Sequence, residues 1–299
     1  MPPSDPVDRL FIDPTRPSFS FEFFPPADSA AQLRLTQTIV DLEPLAPDWV
    51  SVTYGANGSS RQRTLAATMA ILATTDFRVM GHLTITGQSV DELKRVIDFY
   101  GDAGVRNILA IRGDMPGGPA VPWQPHPDGL ANATELVELI GTRGEFCVGV
   151  AAFPDGHASS TPALDARILL GKQQAGASFA VTQLFFDADR YFSLVARARS
   201  VGVTLPIIPG IMPVTSIRQL GRFAALSGAD IPAGVVEELL RAPDDPGSVR
   251  QAGSRIAAEL CGRLLAGQAP GLHFFTQNRS VATREILAML RAADRSGRA

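Results

Sequence analysis

Residues 18–26 read Ser18-Phe19-Ser20-Phe21-Glu22-Phe23-Phe24-Pro25-Pro26, one carboxylate set in a run of phenylalanines and closed by two prolines. Alternation of aromatic with small or polar residues predicts a strand, and the prolines, which cannot donate to a ladder, end it. Side chains alternate across a strand, so Ser20, Glu22 and Phe24 share one face and Phe19, Phe21 and Phe23 the other. An ionised carboxylate among aromatic rings is costly unless it is paired or used. The same surroundings can lift a carboxyl pKa until the group delivers a proton near neutral pH. Taken alone, the segment is explained equally well by a buried Glu paired with an Arg.

The strand-then-helix pattern begun here recurs to the end of the chain. Further strands are predicted at 49–55, 79–85, 108–111, 146–153, 179–186, 206–211 and 272–276. Helices are expected near 29–42, 62–73, 134–140 and 279–290, with a longer helical region over 216–265. Ser89-Val90-Asp91-Glu92 opens another helix with a capping serine and acids in the first turn. Most of the strands are near-continuous apolar runs, as strands buried on both faces must be. Eight such units over about 250 residues predict a single-domain α/β (β/α)8 TIM barrel over 18–299, preceded by an N-terminal extension at 1–17. No Gly-rich dinucleotide fingerprint or phosphate loop supports a doubly wound sheet instead.

Composition narrows the function. The 299 residues are 45% hydrophobic and 19% charged with net charge −3, an ordinary globular balance without the basic excess of a nucleic-acid binder. No apolar run approaches the roughly 20 residues of a membrane span. Met1-Pro2-Pro3-Ser4-Asp5 lacks the basic start and apolar core of a signal peptide. Two cysteines, Cys147 and Cys261, suit a reducing compartment, so a cytoplasmic location is expected. Four scattered histidines and no cysteine pair at ligand spacing lead us to expect no metal site.

A barrel of this kind collects its chemistry at the C-terminal ends of its strands. The polar residues there are Glu22, Thr53, His82, Arg112 with Asp114, Gln183 and Thr276. Each has a bland alternative. The threonines suit any strand, His82 can be a satisfied core histidine, Gln183 can bond neighbouring backbone, and Arg112 can pair with Asp114 across a turn. Convergence at one rim is the better account of them all. Asp114 follows Gly113, where a backbone without a side chain permits close approach. Gln183 both donates and accepts, as the edge of a heterocycle demands. With Glu22 as a proton source and no nucleophile elbow in view, the residues point to a barrel enzyme for a flat heterocycle.

The ordered stretches FEFFPP from Phe21, VSVTYGANG from Val50, GHLT from Gly81, the strand ending in Arg112-Gly113-Asp114, AAFP from Ala151, VTQLFF from Val181 and PIIPGIMPV from Pro206 resemble methylenetetrahydrofolate reductases of the bacterial type. The likeness runs from about Phe19 to Leu290, without the C-terminal regulatory extension of larger eukaryotic relatives. It implies FAD held without a covalent bond, and hydride passed from NADH or NADPH to methylenetetrahydrofolate to give 5-methyltetrahydrofolate. It further implies a homo-oligomer serving one-carbon metabolism and methionine biosynthesis. By this resemblance Glu22 is the general acid that opens the folate ring, and Asp114 stabilises the resulting cation. Gln183 contacts folate or nicotinamide, and Thr53 contacts nicotinamide. Tyr54, Ala56, His82, Arg112, Gly113, Asp114, His157, Asp165 and Lys172 stand at flavin-contacting positions. So does Phe153, where the family often has Tyr. Gln219, Phe223 and Arg279 match positions around the folate or nicotinamide. The chain departs from the family pattern near Asn132, which replaces an aromatic flavin contact, and at Ile168 and Gly171, where polar or basic contacts can occur. Two other readings follow from these departures: direct hydride transfer without flavin, and a folate-binding barrel without catalysis.

Overall fold

The computed structural model describes residues 5–11, 13, 15–54, 58–118, 121–157, 160–243 and 245–297. Eight parallel strands close in sequence order into a barrel: β1 Ser18–Phe23, β2 Trp49–Val52, β3 Val79–Thr84, β4 Asn107–Ile111, β5 Cys147–Ala152, β6 Phe179–Leu184, β7 Ile207–Ile211 and β8 Gly271–Phe275. The helices are α1 Ser29–Leu42, α2 Gly58–Thr74, α3 Val90–Asp102, α4 Ala133–Gly141, α5 Pro162–Gln174, α6 Ala188–Ser200, α7 Ile217–Ser227, α8 Ala233–Arg241, α9 Pro246–Ala266 and α10 Val281–Arg295. The expected barrel is present, and the long helical region before β8 resolves into α7, α8 and α9. Strands two, five and six are shorter at their ends than their apolar runs suggested, because the last residues of each run already turn into the rim loops.

Strand parity decides what faces where. Phe21, Phe23, Val50, Val52, Leu83, Ile108, Val148 and Val150 point outward into the large core shared with the helices. Residues of opposite parity fill the barrel itself, where Trp49, Met80, Leu109, Cys147, Phe179, Val181 and Ile208 form a separate apolar cluster. A short 3-10 helix, Val7–Phe11, covers the N-terminal mouth of that cluster. Val7 is fully buried, its N–H donates to Asn107 Oδ1 at 2.8 Å, and the Phe11 ring packs on Phe179 at 5.6 Å. The interior is therefore apolar and plugged at the bottom. At the top the inward positions are Ser20, Glu22, Ser51, His82 and His273, all buried.

Helix starts follow from the loops that leave the strand tops. Asp28, Ser89, Asn132, Thr161, Asp187 and Asp245 each accept backbone N–H bonds as N-caps of α1, α3, α4, α5, α6 and α9. Such caps satisfy donors that the first helical turn leaves free and typically contribute about 1 kcal/mol each. Ser89, expected as the cap of α3, forms a full reciprocal box with Glu92. The βα loops are thus anchored at both ends, which holds the rim in place.

Candidate active site

A cavity of about 910 Å³ opens at the C-terminal rim. Glu22, from the top of β1, and Thr53, just beyond β2, line it together with Tyr54 and His82. From the opposite side come Arg112, Gly113 and Asp114 after β4, and Phe153 and His157 after β5. Asp165 and Lys172 on α5 and Gln183 on β6 complete the expected set. Asn132 and Ile168, two of the departures from the family pattern, also line it. Gln219, Phe223 and Arg279 do not. Phe223 is buried in a cluster with Leu184, Phe186 and Val214, while Arg279 lines a neighbouring cleft. The Gln219 amide donates to Gln277 Oε1 at 3.2 Å. Ala56 lies outside the described residues.

Glu22 is 6% exposed, and one of its three partners, His273, was not among the expected rim residues. Thr53 donates its hydroxyl to Oε1 at 2.5 Å, while His273 Nε2 and His82 Nε2 stand 3.4 and 3.5 Å from Oε2. The far side of His273 meets Ser20 Oγ at 2.8 Å from Nδ1, and its ring stacks on Trp49 at 4.6 Å. Histidines, not an arginine, therefore surround the carboxylate. Burial pushes the Glu22 carboxyl up, but the charge of His82, the hydrogen bond and charge of His273 and the Thr53 hydroxyl outweigh it, and the net direction is down. The sequence argument expected the reverse, because it weighed the aromatic surroundings and not two inward-facing imidazoles.

Burial drives the His82 imidazole down to about 4, against the attraction of Glu22. An unfolded histidine titrates near 6.5. Between those values the unfolded chain binds a proton that the folded chain refuses, so stability present above about pH 6.5 is lost as pH falls toward 4. The depressed Glu22 carboxyl works in the same direction, its contribution fading as pH falls below the ordinary carboxylate range. Urea unfolding at pH 5 should show roughly 2 kcal/mol less stability than at pH 7 from His82 alone. His82→Gln should remove that share, and an unchanged pH dependence in the variant would assign it elsewhere.

The opposite wall is cationic. Arg112 donates from Nε to Gly113 O at 3.3 Å, contacts His157 Nε2 at 3.3 Å and lies 5.1 Å from the Trp123 ring centroid. It does not pair with Asp114, so the turn is not a closed ion pair. Gly113 has φ 81°, and a Cβ there would stand 2.5 Å from Thr86 Oγ1, so glycine is required on both counts. Burial and the Arg112 charge push His157 down, leaving its ring a hydrogen-bond acceptor for that guanidinium near neutral pH. Asp165 Oδ2 accepts the His157 backbone N–H at 2.9 Å, and the Phe153 ring meets the His157 ring edge-on at 4.9 Å. Lys172, 7% exposed, donates to Ala151 O at 2.9 Å, and burial lowers its ammonium to about 8. Among the described residues neither Arg112 nor Lys172 stands within 4.0 Å of a carboxylate oxygen, although Asp165 attracts Lys172 from farther away. Gln183 Oε1 accepts the Leu184 N–H at 2.9 Å, which leaves its amide N–H groups for the cavity. Among the described residues no group of three His, Cys, Asp or Glu is arranged to hold a metal ion, and no helix is long and apolar enough to cross a membrane.

The family profile described as methylenetetrahydrofolate reductase matches residues 9–291. The chain belongs to the methylenetetrahydrofolate reductase family. It is 36% identical over 262 residues to the 5,10-methylenetetrahydrofolate reductase of Escherichia coli K12, covering 87% of this chain and 86% of that one. The Pectobacterium carotovorum enzyme of the same name is 35% identical over 268 residues, covering 89% and 87%. Methylenetetrahydrofolate reductase 1 of Schizosaccharomyces pombe is 36% identical over 284 residues, covering 93% of this chain and 46% of the longer yeast protein. Among solved structures, an uncharacterised Clostridium thermocellum protein that binds two copies of 5-methyl-5,6,7,8-tetrahydrofolic acid superposes with TM-score 0.64 at 13% identity, covering 97% and 99%. At that identity the likeness concerns the barrel. The ordered motifs had indicated the same methylenetetrahydrofolate reductase family.

Proposed function

We propose that the chain reduces 5,10-methylenetetrahydrofolate to 5-methyltetrahydrofolate with electrons from NADH or NADPH, through FAD held without a covalent bond. The observation that carries this reading is a single cavity lined by a buried carboxylate, Glu22, and by two cations without a close ion pair, Arg112 and Lys172. A buried ammonium with a depressed pKa gains most from an anion, so Lys172 and Arg112 suit the pyrophosphate of a dinucleotide. His157 and Phe153 would line the same stretch, with Thr53, Tyr54, His82, Gly113 and Asp165 completing the wall. Hydride relay from reduced nicotinamide to the folate is the chemistry that a flavin held by these residues would supply. Gln183 would hold the edge of the heterocycle, with Gln219 and Arg279 toward the remainder of the substrate.

Glu22 would deliver the proton that opens the folate five-membered ring. In the open cavity hydrogen bonds and nearby charge keep its carboxyl low. Near neutral pH His82 is uncharged, so the largest opposing charge is absent. A flat substrate then displaces the remaining water, and desolvation is the contribution that raises the carboxyl. Asp114 would face the ring-opened cation and stabilise it through space. The same family membership supports a cytoplasmic homo-oligomer serving one-carbon metabolism and methionine biosynthesis.

The visible spectrum of freshly purified protein tests the cofactor, and its bleaching under NADH or NADPH tests the donor. Added FAD should also stabilise the fold. A ligand bound only by the native state at a hundredfold excess over Kd contributes about 2.7 kcal/mol, which is a rise in Tm of roughly 4 °C for a chain of 299 residues. Ile168 and Glu135 both line the cavity, one apolar and one acidic where an anionic cofactor would prefer cations, and they favour direct hydride transfer as a second reading. Folate turnover by flavin-free protein, with no thermal shift on adding FAD, would establish that second reading.

A further inference from the structure

We propose that Trp123 is a positioning residue: its indole holds the Arg112 guanidinium toward the main cavity and so strengthens the binding of a phosphate-bearing ligand there. The proposal deepens the FAD reading above and rests on it.

Arg112 combines a fixed backbone with a long side chain. Its carbonyl accepts the Thr86 hydroxyl at 2.8 Å and the N–H groups of Ile85 and Thr86 at 3.2 Å each. These bonds fix the residue at the end of β4, but the direction of its charge is set by what the guanidinium touches. The guanidinium carbon lies 5.1 Å from the Trp123 ring centroid, Nε donates to Gly113 O at 3.3 Å, and Nη2 meets His157 Nε2 at 3.3 Å. Arg112 lines the cavity, whereas Trp123 stands outside its lining and packs against the main core. The indole therefore acts on the cation from behind and is not itself a ligand contact.

The loop that presents Trp123 is stiff and tied down. Pro122, Pro125 and Pro127 restrict its backbone. Trp123 Nε1 donates to Ala131 O at 2.9 Å, which closes the loop on itself. The Gly129 N–H donates to His126 O at 2.8 Å, and Asp128 O accepts the Val90 N–H at 2.8 Å, which fastens the loop to the first residue of α3. Gly129 packs so closely there that a Cβ would stand 2.5 Å from Gln88 O. The ring is thus ordered before any ligand arrives.

An indole face is the best aromatic partner for a cation, and the planar guanidinium stacks on it. With Trp123 in place, the arginine is arranged in advance. Without it, an anionic ligand must order a flexible side chain as it binds, and affinity falls by that cost. The expected loss is about five- to tenfold.

Titration calorimetry of flavin-free protein with FAD, and with riboflavin, which carries no phosphate, reads the effect without turnover. Trp123→Leu should weaken FAD about five- to tenfold and leave riboflavin within about twofold. Trp123→Phe, which keeps an aromatic face, should recover most of the FAD affinity. Trp123→Gln can still donate to Ala131 O, should show the same loss, and stands in if the leucine variant does not fold. In an Arg112→Ala background Trp123→Leu should cost less than about twofold more, because the group it orders is gone. Unchanged FAD affinity in both Trp123→Leu and Trp123→Gln overturns the proposal. So does an equal loss for riboflavin, or the full loss persisting without Arg112, since either would make Trp123 a packing residue of the wall. Each of these outcomes leaves the FAD reading intact. Failure of the wild type to bind FAD would instead reject that reading, and the proposal with it.

Discussion

Replacing Glu22 by Gln should slow folate reduction by roughly 10²–10⁴, the usual contribution of general acid catalysis, while the half-reaction with NADH or NADPH alone stays within a few-fold of wild type. That loss is about 3–5 kcal/mol in the barrier. The swap keeps the shape, and the Thr53 hydroxyl still has an oxygen to donate to. The new amide would face His82 and His273 where Oε2 stands now. Each imidazole can change tautomer to accept from it, His273 then donating through Nδ1 to Ser20 Oγ. The pocket therefore survives and only the acid is removed. Stopped-flow absorbance at the flavin band, run once with NADH and once with methylenetetrahydrofolate, separates the two limbs. A wild-type rate with the folate would make Glu22 a structural carboxylate and remove the proposed acid.

The barrel was legible because each strand is a short apolar run closed by turn residues and followed by a helix. Strand parity at 18–24 also put Glu22 and the pair Phe21 and Phe23 on opposite faces, and the core clusters show that the two rings point outward. Of the groups around Glu22, Thr53 and His82 were expected at the same rim, but His273 was not. His273 sits inside the apolar run of β8 and carries no local signal, since its importance arises from register: it lies opposite Ser20 across the β1–β8 pair. Only a closed sheet brings the last strand beside the first. Trp123 beneath Arg112 comes from a loop rich in Gly and Pro whose path no periodicity describes. The direction of the Glu22 pKa shift depended on those long-range neighbours, which is why a reading from nearby phenylalanines had the opposite sign. Phe223 resembled a substrate contact, yet its helix packs it into an apolar cluster beside the barrel.

The second large effect is expected at Asp114. Its carboxylate lines the cavity directly after Gly113, and no ion pair neutralises it among the described residues. Arg112, two residues earlier, turns instead toward His157 and Trp123. Asp114 is exposed at the cavity rim, so water screens it while the cavity is open, and its charge would act more strongly once a bound substrate displaced that water. Such a charge favours a state in which the substrate is cationic over one in which it is neutral, so its value lies in the transition state for ring opening. Asp114→Asn keeps the volume and one acceptor oxygen while removing the charge. Folate reduction should fall by about 10²-fold, close to 2.7 kcal/mol, and flavin reduction by nicotinamide, which creates no substrate cation of this kind, should change by only a few-fold. The fold should be unaffected, with Tm within a degree or two, because an unpaired anion at a rim contributes little to stability. An equal loss in both half-reactions would locate the damage in the cofactor wall and remove Asp114 from the folate chemistry.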